Sequence, residues 1–408
     1  MSTETNTQLA ETLPVVEPSF RKPGSHDWES LHTSKGTEPQ EENGAEGEHH
    51  KIQQANEILK STLLQSLQMQ HLIVLAGSGC SYYAGGPKMS DLWTKVIGES
   101  PSDDAKKTAT AVRYDLDKDK NIEKFLSQVE AFLSFAPETD IKTFLNNAQK
   151  KILDACHEFT PRAKLDSHNT LLHRLSRRRT RDQRLRIFTT NYDLCFESAA
   201  ANLGCVAIDG FSFTAPRRYD PRHFDYDIIR RPRSGDDSAN YLEGVFLLYK
   251  LHGSVNWEKT ADGIIERENP DSEKACLIYP ANGKYQQSYN QPFIESISQY
   301  LTVIREPNTC LLVMGFGFND DHLSEPLLSA VRSNPHLRLI VVAPSLRDDV
   351  ANGQNPYLKE LSELSAKGFD VWFINEPFEK FVNRVPDLKS LTPAERLAKA
   401  ISGAIQHS

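Results

Sequence analysis

The residues best suited to chemistry fall in four clusters. Gly77, Ser78, Gly79, Cys80 and Ser81 follow the apolar run His71–Ala76, with Gly85, Gly86 and Pro87 shortly after. Glycines at such a place let the backbone approach a diphosphate and turn N–H groups toward it, and a following helix adds its dipole. The pattern is neither G-x-G-x-x-G nor a Walker A loop. A glycine turn after a strand is also compatible with a turn and nothing more. The second cluster is Thr189, Thr190, Asn191, Tyr192 and Asp193. Polar side chains at a strand end face the ligand in open parallel sheets, but Asn191 and Asp193 are equally good helix caps.

The third cluster, Lys250, Leu251, His252, Gly253 and Ser254, ends another apolar run. An imidazole with an ordinary pKa of about 6.5, placed where the chain leaves a strand, suits proton transfer. A single histidine is also often structural. His168, His173 and His322 lack this setting. In the fourth cluster, Gly315, Phe316 and Gly317 make a small-residue turn that admits a ribose or adenine. Asp320 there suits a ribose acceptor or a helix cap.

These clusters need a scaffold that brings strand ends together. Short apolar runs of the kind that form buried parallel strands recur at His71–Ala76, Leu185–Thr189, Val245–Leu251, Cys276–Tyr279, Cys310–Gly315, Leu337–Ala343 and Asp370–Ile374. Helical patterns over Asp193–Leu203, Pro292–Arg305, His322–Arg332 and Tyr357–Lys367 separate most of them. The alternation predicts an α/β fold with a doubly wound, mostly parallel Rossmann-like sheet. Helical periodicity over Asn121–Phe135 and Ile141–Phe159 predicts an inserted helical module at about 96–165, and 209–244 reads as a polar insertion. The main domain is expected over 51–390, beginning with an amphipathic helix over 51–70. A final helix is expected within 391–408, over Pro393–Gln406.

Of the formal net charge of −8 over 408 residues, the first 50 carry −7, with ten acids against three bases. Rich also in Thr, Gly and Pro, residues 1–50 read as a disordered acidic tail. The near-neutral remainder does not exclude an anionic partner. The six cysteines form no C-x-x-C pair, which argues for a reduced compartment and against a four-cysteine zinc site. No stretch approaches the roughly 18–20 apolar residues of a membrane helix, and the N-terminus does not read as a secretory signal. A cytoplasmic protein without membrane contact is expected.

Taken in order, the glycine turn, T-T-N-Y-D, L-H-G and G-F-G-F resemble the sirtuin-like superfamily over roughly residues 60–350. Gly77, Gly79, Ser81, Ala84, Gly85 and Pro87 match its glycine loop; Thr189, Asn191 and Asp193 match its T-x-N-x-D motif; His252 and Gly253 match its H-G motif. Two departures separate the chain from the protein deacylases. Lys88, Met89 and Ser90 stand where those carry Asp-Phe-Arg, and both zinc cysteine pairs are missing. T-T-N-Y-D and G-F-G-F-x-D-x-H instead resemble the sirtuin-like NAD hydrolases of bacterial antiphage defence, most of all the partner of a HerA-type ATPase.

The resemblance implies NAD as substrate and cleavage to nicotinamide and ADP-ribose. NAD contacts are implied at Gly77–Ser81, Thr190, Asp193, Gly315–Gly317 and Asp320. Asp193 would lie near the carboxamide, Asn191 would hold the ribose and a water, and His252 would act as general base. It also implies NAD depletion in abortive infection, a large homo-oligomer, and no zinc. Competing expectations are a protein-lysine deacylase and an NAD-sensing subunit without turnover. A DNA-binding or nuclease component is a third, through the arginines of 174–186 and 217–233; interleaved aspartates fit an ion-paired loop equally well.

Overall fold

The computed structural model describes residues 16–31, 45–178, 182–231, 240–279 and 291–387. Its strands in chain order are β1 (Ser19–Arg21), β2 (Glu29–Ser30), β3 (His71–Ala76), β4 (Leu185–Thr189), β5 (Val206–Ile208), β6 (Ile229–Arg230) and β7 (Asn240–Tyr241), then β8 (Val245–Lys250), β9 (Gly253–Thr260), β10 (Gly263–Glu266), β11 (Ala275–Leu277), β12 (Thr309–Met314), β13 (Leu337–Ala343) and β14 (Val371–Asn375). The helices are α1 (Ala45–Leu67), α2 (Ser78–Tyr82), α3 (Met89–Ile97), α4 (Asp103–Val112), α5 (Ile122–Phe135), α6 (Thr139–Glu158) and α7 (Asp166–Leu175), then α8 (Cys195–Leu203), α9 (Phe293–Val303), α10 (Asp321–Ser333), α11 (Leu346–Asn352), α12 (Pro356–Ala366) and α13 (Phe378–Arg384). The helix expected over Pro393–Gln406 lies outside the described residues.

Every residue of β3, β8 and β12 is buried. Strands covered on both faces need side chains that are apolar on both, hence the unbroken runs in the sequence. The pleat then divides each strand between two cores. Leu72, Val74 and Ala76 join Leu312 and Met314 under α1, α7, α8 and α13. Ile73 and Leu75 join Leu311 and Val313 under α9, α10 and α12. Each such buried aliphatic side chain stabilises the fold by about 1.5–3 kcal/mol before entropy is counted.

The main sheet has nine strands in the order β2-β1-β14-β13-β12-β3-β4-β8-β5. From β14 to β5 all neighbours are parallel, and β1 and β2 close one side antiparallel. The chain winds from β3 through β4 to β8 on one side, and from β12 through β13 to β14 on the other. The reversal falls between β3 and β12, which is where open α/β sheets bind ligands. This is the doubly wound arrangement expected.

Two expectations need correction. Residues 19–21 and 29–30 belong to the main sheet rather than a disordered tail. Phe20 is fully buried, pairs in register with Ile374, and stacks on Trp372 with ring centroids 6.1 Å apart. A three-residue strand in an acidic stretch is too short to register as periodicity. The first helix likewise begins at Ala45, before the expected Lys51. The run at 276–279 does not join the parallel sheet: β11 pairs antiparallel with β9 in a separate three-stranded sheet. That small sheet packs Trp257, Ile264 and Cys276 with Phe211 of the polar insertion.

Helices α3–α6 enclose a core of their own around Trp93, Phe125, Phe144 and Ile152, which also takes in Val255 of β9 and Leu277 of β11. This contact with the small sheet sets the helices over the carboxyl end of the main one. Among the described residues, no helix is long and apolar enough to cross a membrane.

Candidate active site at the sheet reversal

A cavity of about 320 Å³ opens at the carboxyl ends of β3, β4, β8 and β12. Of the residues singled out by sequence, Gly77, Ser78, Ser81, Thr190, Asn191, Asp193, His252, Phe316, Gly317 and Asp320 line it. Helix α6 and the segment around α5 supply its far wall through Cys156, Phe159, Lys120, Asn121 and Glu123. Sequence reading gave those residues no role, because only tertiary packing brings the helices over the sheet.

Gly79, Cys80 and Gly315, the other expected ligand contacts, are not among the residues lining this cavity. A Cβ on Gly79 would stand 2.6 Å from the Gly315 Cα, one on Gly315 would stand 2.5 Å from the Cys80 nitrogen, and one on Gly77 would stand 2.5 Å from the Gly315 oxygen. These glycines let two strand-end turns touch backbone to backbone, and Gly315 also has a left-handed φ of 59°. The Gly77, Gly79 and Cys80 amides donate to the carbonyls of Met314, Gly315 and Gly77 at 3.0, 2.9 and 3.0 Å. The first two N–H groups tie the two turns together, and the third closes the glycine turn on itself. The Cys80 thiol is buried, donates to the Met314 carbonyl, and is pushed up in pKa by desolvation, with the Asp193 charge adding to it. It behaves as a structural thiol. Ser78, exposed at the cavity, is the polar side chain that this turn offers to a ligand.

Behind the turn runs a chain of hydrogen bonds. Asn191 Nδ2 donates to the Gly77 carbonyl at 3.0 Å and to Ser81 Oγ at 2.7 Å. Ser81 Oγ donates to Asp193 Oδ2 at 2.6 Å, and Asp193 Oδ1 accepts from the Cys195 backbone at the start of α8. Asp193 thus lines the cavity and, one residue before the N-cap Leu194, also steadies the first turn of a helix. Both amide hydrogens of Asn191 are engaged, and Oδ1 is its remaining polar atom.

Lys250, quoted in the sequence motif without a role, holds this loop from beneath. Its almost fully buried ammonium donates to the Tyr192 carbonyl at 3.2 Å, to the Asp193 carbonyl, and to Glu197 Oε1 at 3.1 Å. Burial raises the Glu197 pKa, and Lys250 opposes that rise. Tyr192 Oη donates to the Ile278 carbonyl at 2.5 Å, and Val255 N–H donates to the Tyr192 carbonyl at 2.9 Å, tying the loop to the small sheet.

His252 is pinned by its own backbone. The Leu251 amide donates to the Thr189 carbonyl, and the Ile278 amide donates to the His252 carbonyl. Gly253 turns the chain at φ 88°, where a Cβ would sit 2.1 Å from the Cys276 oxygen; no other residue fits. The buried imidazole meets a second buried imidazole, with His252 Nε2 and His322 Nε2 3.2 Å apart. His322 was set aside by sequence reading. Its signal was its place in the first turn of α10, just past the G-F-G-F turn across the sheet reversal.

Five arginines of the two stretches are engaged within the fold. Arg174 donates to the carbonyls of Val382, Asn383 and Val385, and Arg178 to those of Leu67, Met69, Gln70 and Gln183. Arg184 pairs with Asp227, Arg217 with Asp209 and Glu266, and Arg222 with Asp220.

Residues 185–368 match the family model described as a SIR2-like domain. The match runs from β4 to just past α12, with the glycine turn and α3–α6 outside the matched residues. No curated protein matches the chain. Among solved structures, the chain is similar to a Sir2 variant with a deacetylated p53 peptide and 3′-O-acetyl ADP ribose, at 13% identity and TM-score 0.43, over 80% of this chain and 96% of that one. It is similar also to a Sir2 homolog–NAD complex, at 13% identity and TM-score 0.42, over 80% and 91%. A third is Sir2 bound to acetylated peptide, at 13% identity and TM-score 0.39, over 80% and 96%.

Proposed function

We propose that the chain hydrolyses NAD at the bond between nicotinamide and ribose, giving nicotinamide and ADP-ribose. The observation that carries the reading is the convergence of Asn191, Ser81, Asp193 and His252 on one cavity at the sheet reversal. The SIR2-like match over β4, β8 and β12 supports it. In this reading the C1′–N bond breaks and its electron pair leaves with neutral nicotinamide. The ribose becomes an oxocarbenium-like cation. Asn191 Oδ1 and the Asp193 carboxylate are acceptors suited to that charge. Water adds at C1′, and His252 Nε2 takes its proton. Lys120 supplies positive charge at the wall for the diphosphate.

The test is ADP-ribose release from NAD. Asn191→Ala and His252→Ala should each lose about 100–1000-fold in turnover while retaining a cooperative unfolding transition, the scale for removing one preorganised electrostatic group. Unchanged turnover in both variants sinks the assignment. Release of 2′-O-acetyl-ADP-ribose from an acetylated peptide would establish the deacylase alternative instead. The resemblance extends the proposal to antiphage defence by NAD depletion, in a homo-oligomer docked on a HerA-type ATPase. Measuring particle mass and NAD loss, with and without the ATPase, tests that assembly. The internal engagement of Arg174, Arg178, Arg184 and Arg217 speaks against these four as DNA contacts.

A further inference from the structure

Hydrolysis needs one imidazole, yet the one lining the cavity, His252, has a second buried against it. His252 Nε2 and His322 Nε2 face one another at 3.2 Å, and both rings are buried. An Asp320 carboxylate oxygen completes the group, with all three ligand atoms within 4.8 Å of one another. Asp320 and His322 sit at the start of α10, while His252 comes from across the sheet at the end of β8. A tetrahedral zinc ion with bonds of about 2.0–2.1 Å to nitrogen holds two ligand nitrogens about 3.3 Å apart. The imidazoles already stand at that separation. The carboxylate, half-buried at the cavity edge, has an oxygen within 4.8 Å of both nitrogens. Two imidazoles and one carboxylate favour zinc-like ions over magnesium or calcium, which prefer oxygen donors.

We propose that His252, His322 and Asp320 form a site for a divalent transition-metal ion, and that its occupation stops hydrolysis. The site is unrelated to a four-cysteine zinc module. The six cysteines are free and dispersed, and five of them are buried. It revises the sequence expectation of no metal. The ion takes the His252 Nε2 lone pair, the same pair that would accept the proton from water, so metal and catalysis exclude each other. The inhibitory half rests on the NAD-hydrolase reading; the metal-binding half does not.

Zn²⁺ is the probe. Chelator-stripped full-length chain is dialysed against graded zinc chloride, bound metal is measured by mass spectrometry, and NAD turnover is followed at each concentration. One Zn²⁺ per chain is expected, with turnover falling in step and restored by EDTA. Asp320→Asn and His322→Gln should each weaken zinc binding by at least about 10-fold. The zinc inhibition constant, taken relative to each variant's own zinc-free rate, should rise by the same factor. Absence of stoichiometric zinc, or equal affinity in both variants, overturns the site. Bound zinc without loss of turnover overturns the inhibition. Asp320 is partly exposed, so Asp320→Asn decides the matter if His322→Gln does not fold. A chain that binds zinc through these residues but never turns over NAD refutes the proposed function and leaves the metal site standing.

Discussion

At the residue scale, the polar groups of the core separate by whether the fold satisfies them. Lys250, Asn191, Ser81 and Asp193 form a connected set of hydrogen bonds. His168 does not: its ring lies between Phe196 and Phe378, at centroid distances of 5.1 and 5.3 Å, and neither nitrogen has a hydrogen-bond partner. Burial pulls its pKa down to about 4, with the Asp193 charge opposing. In the unfolded chain it protonates at about 6.5. Between those values the unfolded state binds more protons, so stability falls as pH falls. The contribution lost by pH 4 is on the order of 3 kcal/mol. Chemical denaturation from pH 7 to 4 should therefore show a shallower decline for His168→Leu than for the native chain; parallel declines would refute this. The motif residues at strand ends were legible in the sequence because residue type and a preceding apolar run are local properties. His322 was not, since its meaning lies in a neighbour 70 positions away.

At the element scale, the site depends on two turns meeting. The turns after β3 and β12 are in backbone contact through Gly77, Gly79 and Gly315. Gly79→Ala places a methyl 2.6 Å from the Gly315 Cα, and its three nearest neighbours are all Gly315 backbone atoms, with no flexible side chain to yield. Overpacking of this kind costs about 1–3 kcal/mol. Thermal unfolding should report that loss, and the NAD turnover proposed above should fall with it as the turns part. A variant with native stability and native turnover would show that the contact is dispensable. The sequence marked these glycines for their approach to a diphosphate; the structure adds a backbone neighbour that demands glycine at each.

At the scale of the whole molecule, the chain closes its sheet with its own N-terminal segment. β1 covers the β14 edge, Phe20 enters the core, and the Arg21 guanidinium donates to the Ser362 carbonyl at 2.6 Å. Phe20→Ala should lower the unfolding free energy by about 3–5 kcal/mol in urea. Deleting residues through 31 should in addition bring concentration-dependent association, because it bares a strand edge. An unshifted urea midpoint in Phe20→Ala would mean that β1 adds nothing to the fold. The sequence alone determined six of the seven parallel strands, most of the helices and the strand-end placement of the polar motifs, since hydrophobic period and turn chemistry are written within a few residues. Tertiary structure alone decided which strand ends meet at the reversal, which glycines meet a backbone neighbour, the helical wall of the cavity, the N-terminal edge strand and the pairing of His252 with His322. Each of these joins residues tens to hundreds of positions apart, and such contacts follow from how the faces of the sheet are buried rather than from any local pattern.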